Sequence, residues 1–80
     1  MKTNIYFKRY IKNDPNQKKE IDFYPNGEKE WFLNNKRHRE DGAAIIHYNG
    51  KKTWWIKNHR FSTKKHYQEA LEIYKNKNNI

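Results

Sequence analysis

The sequence predicts an α+β fold: an antiparallel β-meander of five to six short strands followed by one C-terminal amphipathic helix. Two observations support this prediction. An Asn-Gly dipeptide followed by a tryptophan occurs twice, as Asn26-Gly27 before Trp31 and as Asn49-Gly50 before Trp54, which indicates two hairpin repeat units. The last part of the chain instead has apolar residues at helical spacing.

The turns of the meander are predicted from the same repeat. Asn-Gly between strand-like segments is the strongest short hairpin signal, because both residues tolerate the positive φ angles of a type I′ turn. We therefore expect Asn26-Gly27 and Asn49-Gly50 at the tips of successive hairpins. Asn34-Asn35 and Lys57-Asn58 are then the turns at the opposite edge of the sheet.

The strands alternate in polarity, which assigns their residues to faces. A first strand contains Ile5, Phe7 and Ile11 and ends at the turn-forming residues 13–16; a second runs from Glu20 to Tyr24. In the two repeat strands, one face is predicted to carry Lys29, Trp31 and Leu33 and, in the second copy, Lys52, Trp54 and Ile56. The other face is predicted to carry Glu28, Glu30 and Phe32, with Thr53 and Trp55 from the second copy.

The C-terminal helix has both a start signal and an apolar stripe. Ser62 or Thr63 can accept hydrogen bonds from the free N–H groups of its first turn. Tyr67, Ala70, Leu71 and Tyr74 then recur at the spacing of one helix face, which we expect to cover one face of the sheet.

The chain length of 80 residues allows one domain. Within it we distinguish four segments: an N-terminal strand and turn (1–20), the hairpin repeats (21–61), the helix (62–76) and a frayed tail (77–80).

Charge and composition limit the function classes. The formal net charge is +9, which attracts polyanions, but Lys, Asn, Ile and Tyr are also the residues that AT-rich codons favour. The charge alone is therefore weak evidence for a nucleic-acid partner.

No apolar run is long enough to span a membrane, and no signal peptide is recognisable at the start. The absence of cysteine favours a reducing, cytoplasmic location.

The segment from Trp31 to Ala44, WFLNNKRHREDGAA, resembles a repeat of small phage, large-virus and bacterial proteins related to the MORN-type hairpin repeats. The usual form of that repeat is W-Y-x-N-G-K-x-H-R-x-D-G-P-A. Asn35 stands where the family has Gly, and Ala43 where it has Pro. The resemblance covers residues 21–61, with one good and one degenerate copy. It implies a β-hairpin scaffold of phage or viral origin and names no reaction, since most members have no assigned activity.

A basic cluster with an aromatic neighbour is the strongest candidate for a binding site. Because the two repeat copies place their second turns at the same edge, their cationic residues are expected to form one patch. Its predicted members are Lys36, Arg37, His38, Arg39, Lys57, His59, Arg60 and Trp55. Lys51, Lys52, Lys64 and Lys65 add charge, and Phe32 or Tyr48 could also stack bases. The alternative interpretation is a solvated, lysine-rich face above core aromatics.

The histidines allow two further interpretations. His38 and His59, aided by Lys36 or Arg60, could form the general acid–base pair of a ribonuclease-like toxin. Zinc binding is disfavoured, because cysteine is absent and the histidines lack zinc-ligand spacing. His38 and Asp41 could form an acid–base or metal pair. The simpler interpretation is that Asp41 makes a turn with Gly42 and holds Arg39 or caps backbone N–H groups.

We therefore expect a non-enzymatic phage or viral accessory protein without a cofactor or metal. Its basic, aromatic sheet edge would bind RNA, DNA, a nucleotide or an acidic surface of a host protein, and it could counter host defence. The two alternatives are the ribonuclease-like toxin and a protein–protein inhibitor whose charge is incidental. Affinity that falls steeply with salt would distinguish a phosphate binder from that inhibitor.

Overall fold

The computed structural model describes residues 7–13 and 16–78 and shows an antiparallel meander sheet of seven strands followed by one helix. The predicted α+β architecture is therefore confirmed. Of the residues assigned to the first strand and its turn, Ile5, Asp14 and Pro15 lie outside the described ones. The elements are β1 (Phe7–Asn13), β2 (Lys18–Phe23), β3 (Lys29–Leu33), β4 (Lys36–Arg37), β5 (Ile45–Ile46), β6 (Lys52–Ile56), β7 (His59–Phe61) and α1 (Lys64–Asn78).

The strand count exceeds the predicted five to six because one strand position is divided. β4 pairs with the end of β3, where Leu33 lies opposite Lys36, and β5 pairs with its start, where Glu30 lies opposite Ile45. On its other side, β4 is tied to the β6–β7 hairpin, since the Asn58 N–H donates to the Arg37 carbonyl oxygen at 2.8 Å. The two short strands thus share the place between β3 and β6. Between them, residues 38–44 form no strand, although the His38 and Arg39 N–H groups still donate to backbone carbonyl oxygens of β3 and β6.

The hairpin tips lie where the sequence predicts them, but their predicted turn type is wrong. Gly27 and Gly50 have φ of 91° and 88°, whereas Asn26 and Asn49 are not in the left-handed region. The Gly27 N–H donates to the carbonyl oxygen of Tyr24 at 3.0 Å, so the loop has three residues and a glycine in the left-handed conformation. The Gly50 N–H closes the second loop in the same way on His47 at 2.9 Å.

The turns at the opposite edge have the geometry that we expected at the tips. φ is positive at both Asn34 and Asn35 (50° and 66°) and at both Lys57 and Asn58 (45° and 70°). Two consecutive left-handed residues are the mark of a type I′ turn. Asn favours this conformation more than most residues, so three of these four positions suit their backbone, and Lys57 is the exception.

Helix α1 begins at its predicted cap and packs on one half of the sheet. The Thr63 hydroxyl accepts a hydrogen bond from the His66 N–H at 3.1 Å. Tyr67 is 3% exposed, and its ring lies 6.5 Å from that of Trp54 in β6 and 6.2 Å from that of Phe61 in β7. The helix extends to Asn78, two residues beyond the predicted end.

Within the stretches of chain that the structure describes, no helix combines the length and apolar character needed to cross a membrane.

Candidate functional site

The sheet divides the predicted basic patch between its two faces. Arg37 lies opposite Phe32, and Arg60 lies opposite Trp55. Cross-strand partners share a face, and Phe32 and Trp55 alternate with the residues that face α1, so both arginines lie on the face opposite the helix. We call this the groove face and the other the helix face. Lys36 and His59 lie opposite Leu33 and Ile56, which places them on the helix face.

The two repeat copies do meet at Trp55. The Arg37 guanidinium carbon lies 5.2 Å from the centroid of the Trp55 ring and 6.0 Å from that of Phe32. Arg60 is the cross-strand neighbour of the same tryptophan. A cation above an aromatic ring is attracted by the negative charge of the ring face, so Arg37 is held against Trp55. Its Nη2 atom also lies 3.5 Å from a carboxylate oxygen of Glu30, which is 1% exposed.

A groove of about 420 Å³ opens beside Trp55. Strands β5 and β6 form its floor, the loop between them forms one wall, and Arg60 of β7 borders it. The lining residues are Ile45, His47, Tyr48, Asn49, Lys51, Thr53, Trp55 and Arg60. We call this the Trp55 groove. Its volume falls within the range of about 300–1,000 Å³ that is usual for small-molecule sites.

Hydrogen bonds fix the position of the groove residues. The Trp55 indole N–H donates to the Thr53 hydroxyl at 2.9 Å, which holds the ring across the floor. The Asn49 side-chain oxygen accepts from the Lys51 N–H at 3.0 Å and shapes the loop. Tyr48 projects from this loop and is 70% exposed, so its ring is open to a ligand.

The groove contains one histidine close to a buried carboxylate and two exposed cationic side chains. His47 Nδ1 lies 3.4 Å from a carboxylate oxygen of Glu28, which is buried beneath it. Lys51 and Arg60 are exposed, and neither forms an ion pair with any other residue that the structure describes. The groove therefore offers two cationic groups to an anion, with Arg37 nearby on the Trp55 ring.

The other half of the groove face is acidic and internally paired. Four carboxylates are buried there, at alternate positions of β2 and at or before the start of β3: Glu20, Asp22, Glu28 and Glu30. Lys8 Nζ lies 3.0 Å from Glu20 and 2.9 Å from Asp22, and the hydrogen bonds to these carboxylates raise the pKa of Lys8. Because Lys8 is already paired with two carboxylates, this half of the face offers less to an anion than the β5–β7 half does. The alternation of acids with apolar residues was visible in the sequence, but their burial was not.

His38 is a buried structural residue. Its Nδ1 accepts a hydrogen bond from the Lys57 N–H at 3.1 Å, so the ring proton sits on Nε2, which lies 2.9 Å from a Glu40 carboxylate oxygen. The ring also lies 5.2 Å from that of Tyr74 on α1. Both ring nitrogens are thus engaged inside the protein. His59, its proposed acid–base partner, is exposed and stacks edge-on against Phe61 at 4.7 Å.

Arg39 and Lys57 also make structural contacts. The Arg39 guanidinium lies 4.0 Å above the Trp31 ring and donates to Asp41 at 2.8 Å and to the Ala43 carbonyl oxygen at 3.0 Å. Its hydrogen bond lowers the pKa of the Asp41 carboxyl, so Asp41 holds Arg39 as expected from the turn. Lys57 occupies the left-handed turn, with its Nζ 5.2 Å from the Tyr74 ring on the helix side.

Of the predicted binding residues, the structure thus brings Arg37, Arg60 and Trp55 together and places the others elsewhere. Four further lining residues, Ile45, His47, Asn49 and Thr53, were missed, and Lys51 and Tyr48 were recognised only as supplementary. A usable signal existed for Tyr48, since an aromatic directly before a hairpin tip has little core to enter. No group of three or more His, Asp or Glu side chains converges as around a metal ion in the described residues.

Comparisons of the chain with protein-family models, with curated proteins and with solved structures found no match.

Proposed function

We propose that this protein is a non-enzymatic binding protein that holds nucleic acid in the Trp55 groove. The observation that supports this function is the juxtaposition at Trp55. One arginine lies on its ring, a second is its cross-strand neighbour, and an exposed lysine and tyrosine line the same groove.

The chemistry of nucleic acid matches this arrangement on two counts. Phosphates bind cationic side chains, and bases stack on aromatic rings, with about 1–3 kcal/mol contributed per stacked base. Lys51 and Arg60 supply the first kind of group, and Trp55 and Tyr48 the second. The net charge of +9 adds a long-range attraction that raises the association rate with any polyanion.

The biological setting of the proposal rests on the resemblance of residues 21–61 to the phage and viral hairpin repeats. In that setting the protein acts in the host cytoplasm as an accessory factor, for example against host defence. An acidic host-protein surface is the competing ligand of the same cations, and it lacks bases to stack on Trp55.

The test is a matched pair of lysine variants. Lys51 lines the groove, whereas the adjacent Lys52, which is also exposed, lies opposite Ile46 on the helix face. Binding of a fluorescent oligonucleotide should weaken roughly tenfold on Lys51→Ala, and more in combination with Arg60→Ala, because a charge-assisted hydrogen bond contributes about 1.5 kcal/mol or more. Lys52→Ala should change the affinity less than twofold.

The salt dependence of binding tests whether the contacts are made to phosphate groups. The logarithm of the affinity should fall linearly with the logarithm of the salt concentration, and each removed phosphate contact should reduce that slope by about one. An affinity that Lys51→Ala and Lys52→Ala reduce equally would show that the groove is not the site. Absence of any binding at low salt would refute nucleic-acid binding and favour a protein partner.

A further inference from the structure

We infer that the ligand of the Trp55 groove is a single strand, one unpaired nucleotide of which enters the groove. This inference rests on the function proposed above and narrows it, because a general phosphate binder would take single strands and duplexes alike.

The aromatic side chains of the groove indicate an unpaired base. Trp55 lies across the floor and is held there by Thr53, while Tyr48 stands at the wall and is 70% exposed. A ring can stack only on the face of a base, and in a duplex these faces are covered by neighbouring base pairs. An unpaired base presents its face and can lie against Trp55 with Tyr48 beside it.

The size of the groove sets the length of strand that it can enclose. A volume of about 420 Å³ suits one nucleotide and is far too small for a double helix. Arg37 and Arg60 both lie next to Trp55, so a base on this ring has cationic groups within reach of its neighbouring phosphates.

The distribution of charge disfavours a duplex. Duplex binding depends mainly on many phosphate contacts along a continuous cationic surface. On the groove face, the cations near Trp55 give way to a half in which Lys8 is already paired with the buried Glu20 and Asp22. A rigid duplex laid on this face would meet a cation that is already paired there, whereas a flexible single strand can leave the groove along the loop that carries Tyr48.

The experiment compares a single-stranded oligonucleotide with a duplex of equal length at one salt concentration, using fluorescence anisotropy on the full chain. We expect the single strand to bind at least about tenfold tighter. Trp55→Leu and Tyr48→Ala should each weaken single-strand binding by about fivefold to a hundredfold and leave duplex binding unchanged. Because Tyr48 is exposed, Tyr48→Ala is expected to fold normally, and it tests the inference even if Trp55→Leu disturbs folding.

The outcomes separate this inference from the proposed function. Equal or tighter duplex binding that is insensitive to Tyr48→Ala but sensitive to Lys51→Ala would overturn the single-strand inference and leave nucleic-acid binding in place. Failure of both nucleic acids to bind would overturn both. Quenching of tryptophan fluorescence by the single strand, abolished in Trp55→Leu, would support stacking on this ring.

Discussion

Two arginines of the same repeat copy, Arg37 and Arg39, make different contacts that their spacing did not reveal. Arg37 belongs to β4 and lies on the ring of Trp55 at the groove face. Arg39 follows β4, where the chain leaves the sheet, and its guanidinium covers Trp31 and holds the 40–44 loop. A Cβ atom added to Gly42 would lie 3.0 Å from the Arg39 guanidinium carbon, so the glycine leaves room for this packing.

Replacement of Arg39 by lysine tests this structural role. Lysine retains the charge but loses the planar group that stacks on Trp31 and the bond geometry toward Asp41 and the Ala43 carbonyl. We expect Arg39→Lys to lower the free energy of unfolding by about 1–2 kcal/mol, measured by urea denaturation. Oligonucleotide affinity should remain within twofold of the unmodified protein.

Arg60→Lys is the matched control for this variant, because Arg60 is exposed and makes no ion pair within the described residues. Its free energy of unfolding should change by less than about 0.5 kcal/mol. If Arg39→Lys instead weakened oligonucleotide binding and left stability unchanged, Arg39 would belong to the binding surface that the sequence suggested.

Among the elements, α1 is hydrogen-bonded to the backbone of the irregular loop through Tyr67. The Tyr67 hydroxyl donates to the Arg39 carbonyl oxygen at 2.6 Å, so the buried face of the helix fixes the segment between β4 and β5. Removal of the hydroxyl leaves this carbonyl without that donor. Tyr67→Phe should therefore cost about 1–2 kcal/mol in unfolding free energy, whereas Tyr48→Phe, at an exposed ring, should cost less than about 0.5 kcal/mol.

The same hydroxyl makes stability dependent on alkaline pH. Burial raises the pKa of the Tyr67 phenol, so the folded state holds this proton more tightly than the unfolded state. The resulting stabilisation is complete below about pH 10, the ordinary tyrosine value, and is lost as the pH rises toward the folded-state pKa. Burial also raises the pKa of Tyr24 and of Tyr74, which contribute to the same decline.

The unfolding free energy of Tyr67→Phe should accordingly fall less steeply above about pH 10 than that of the unmodified protein. Tyr24 and Tyr74 should still produce part of the decline in this variant. Urea denaturation at several pH values from about 8 to about 11, a range that includes the ordinary tyrosine pKa of about 10, measures this difference. Identical slopes would show that folding does not raise the pKa of Tyr67.

On the scale of the whole molecule, the sequence predicted the topology but not the way one strand is divided. Alternation, hairpin tips and helical spacing are local signals, and they gave the meander, its turns and the stripe around Tyr67. The division into β4 and β5 depends on contacts between residues that are distant in the sequence. The Arg39 guanidinium stacks on Trp31, and the Tyr67 hydroxyl donates to the Arg39 carbonyl oxygen, in the segment that separates the two strands. The spacing of residues within one segment cannot predict such contacts.

The candidate site was predictable to a similar extent. The sequence indicated that the copies meet, and Arg37 and Arg60 indeed share Trp55. It did not show that the sheet separates these residues from Lys36 and His59, because that separation follows from the register of β4 and β7. A shift of one residue in either pairing would exchange the faces.

This separation of faces leads to a last prediction, that binding and stability can be changed independently. The groove face carries the cations proposed to bind the ligand, and the helix face carries the packing around Tyr67. Sites without shared partners contribute additively, within about 0.5 kcal/mol. Arg60→Ala should therefore lower the oligonucleotide affinity and leave the unfolding free energy nearly constant. Tyr67→Phe should lower the unfolding free energy and leave the affinity nearly constant. In the double variant, the two losses should add. A coupling energy above about 1 kcal/mol in a double-mutant cycle, for either the binding or the unfolding free energy, would mean that a change on one face of the sheet alters the contacts on the other.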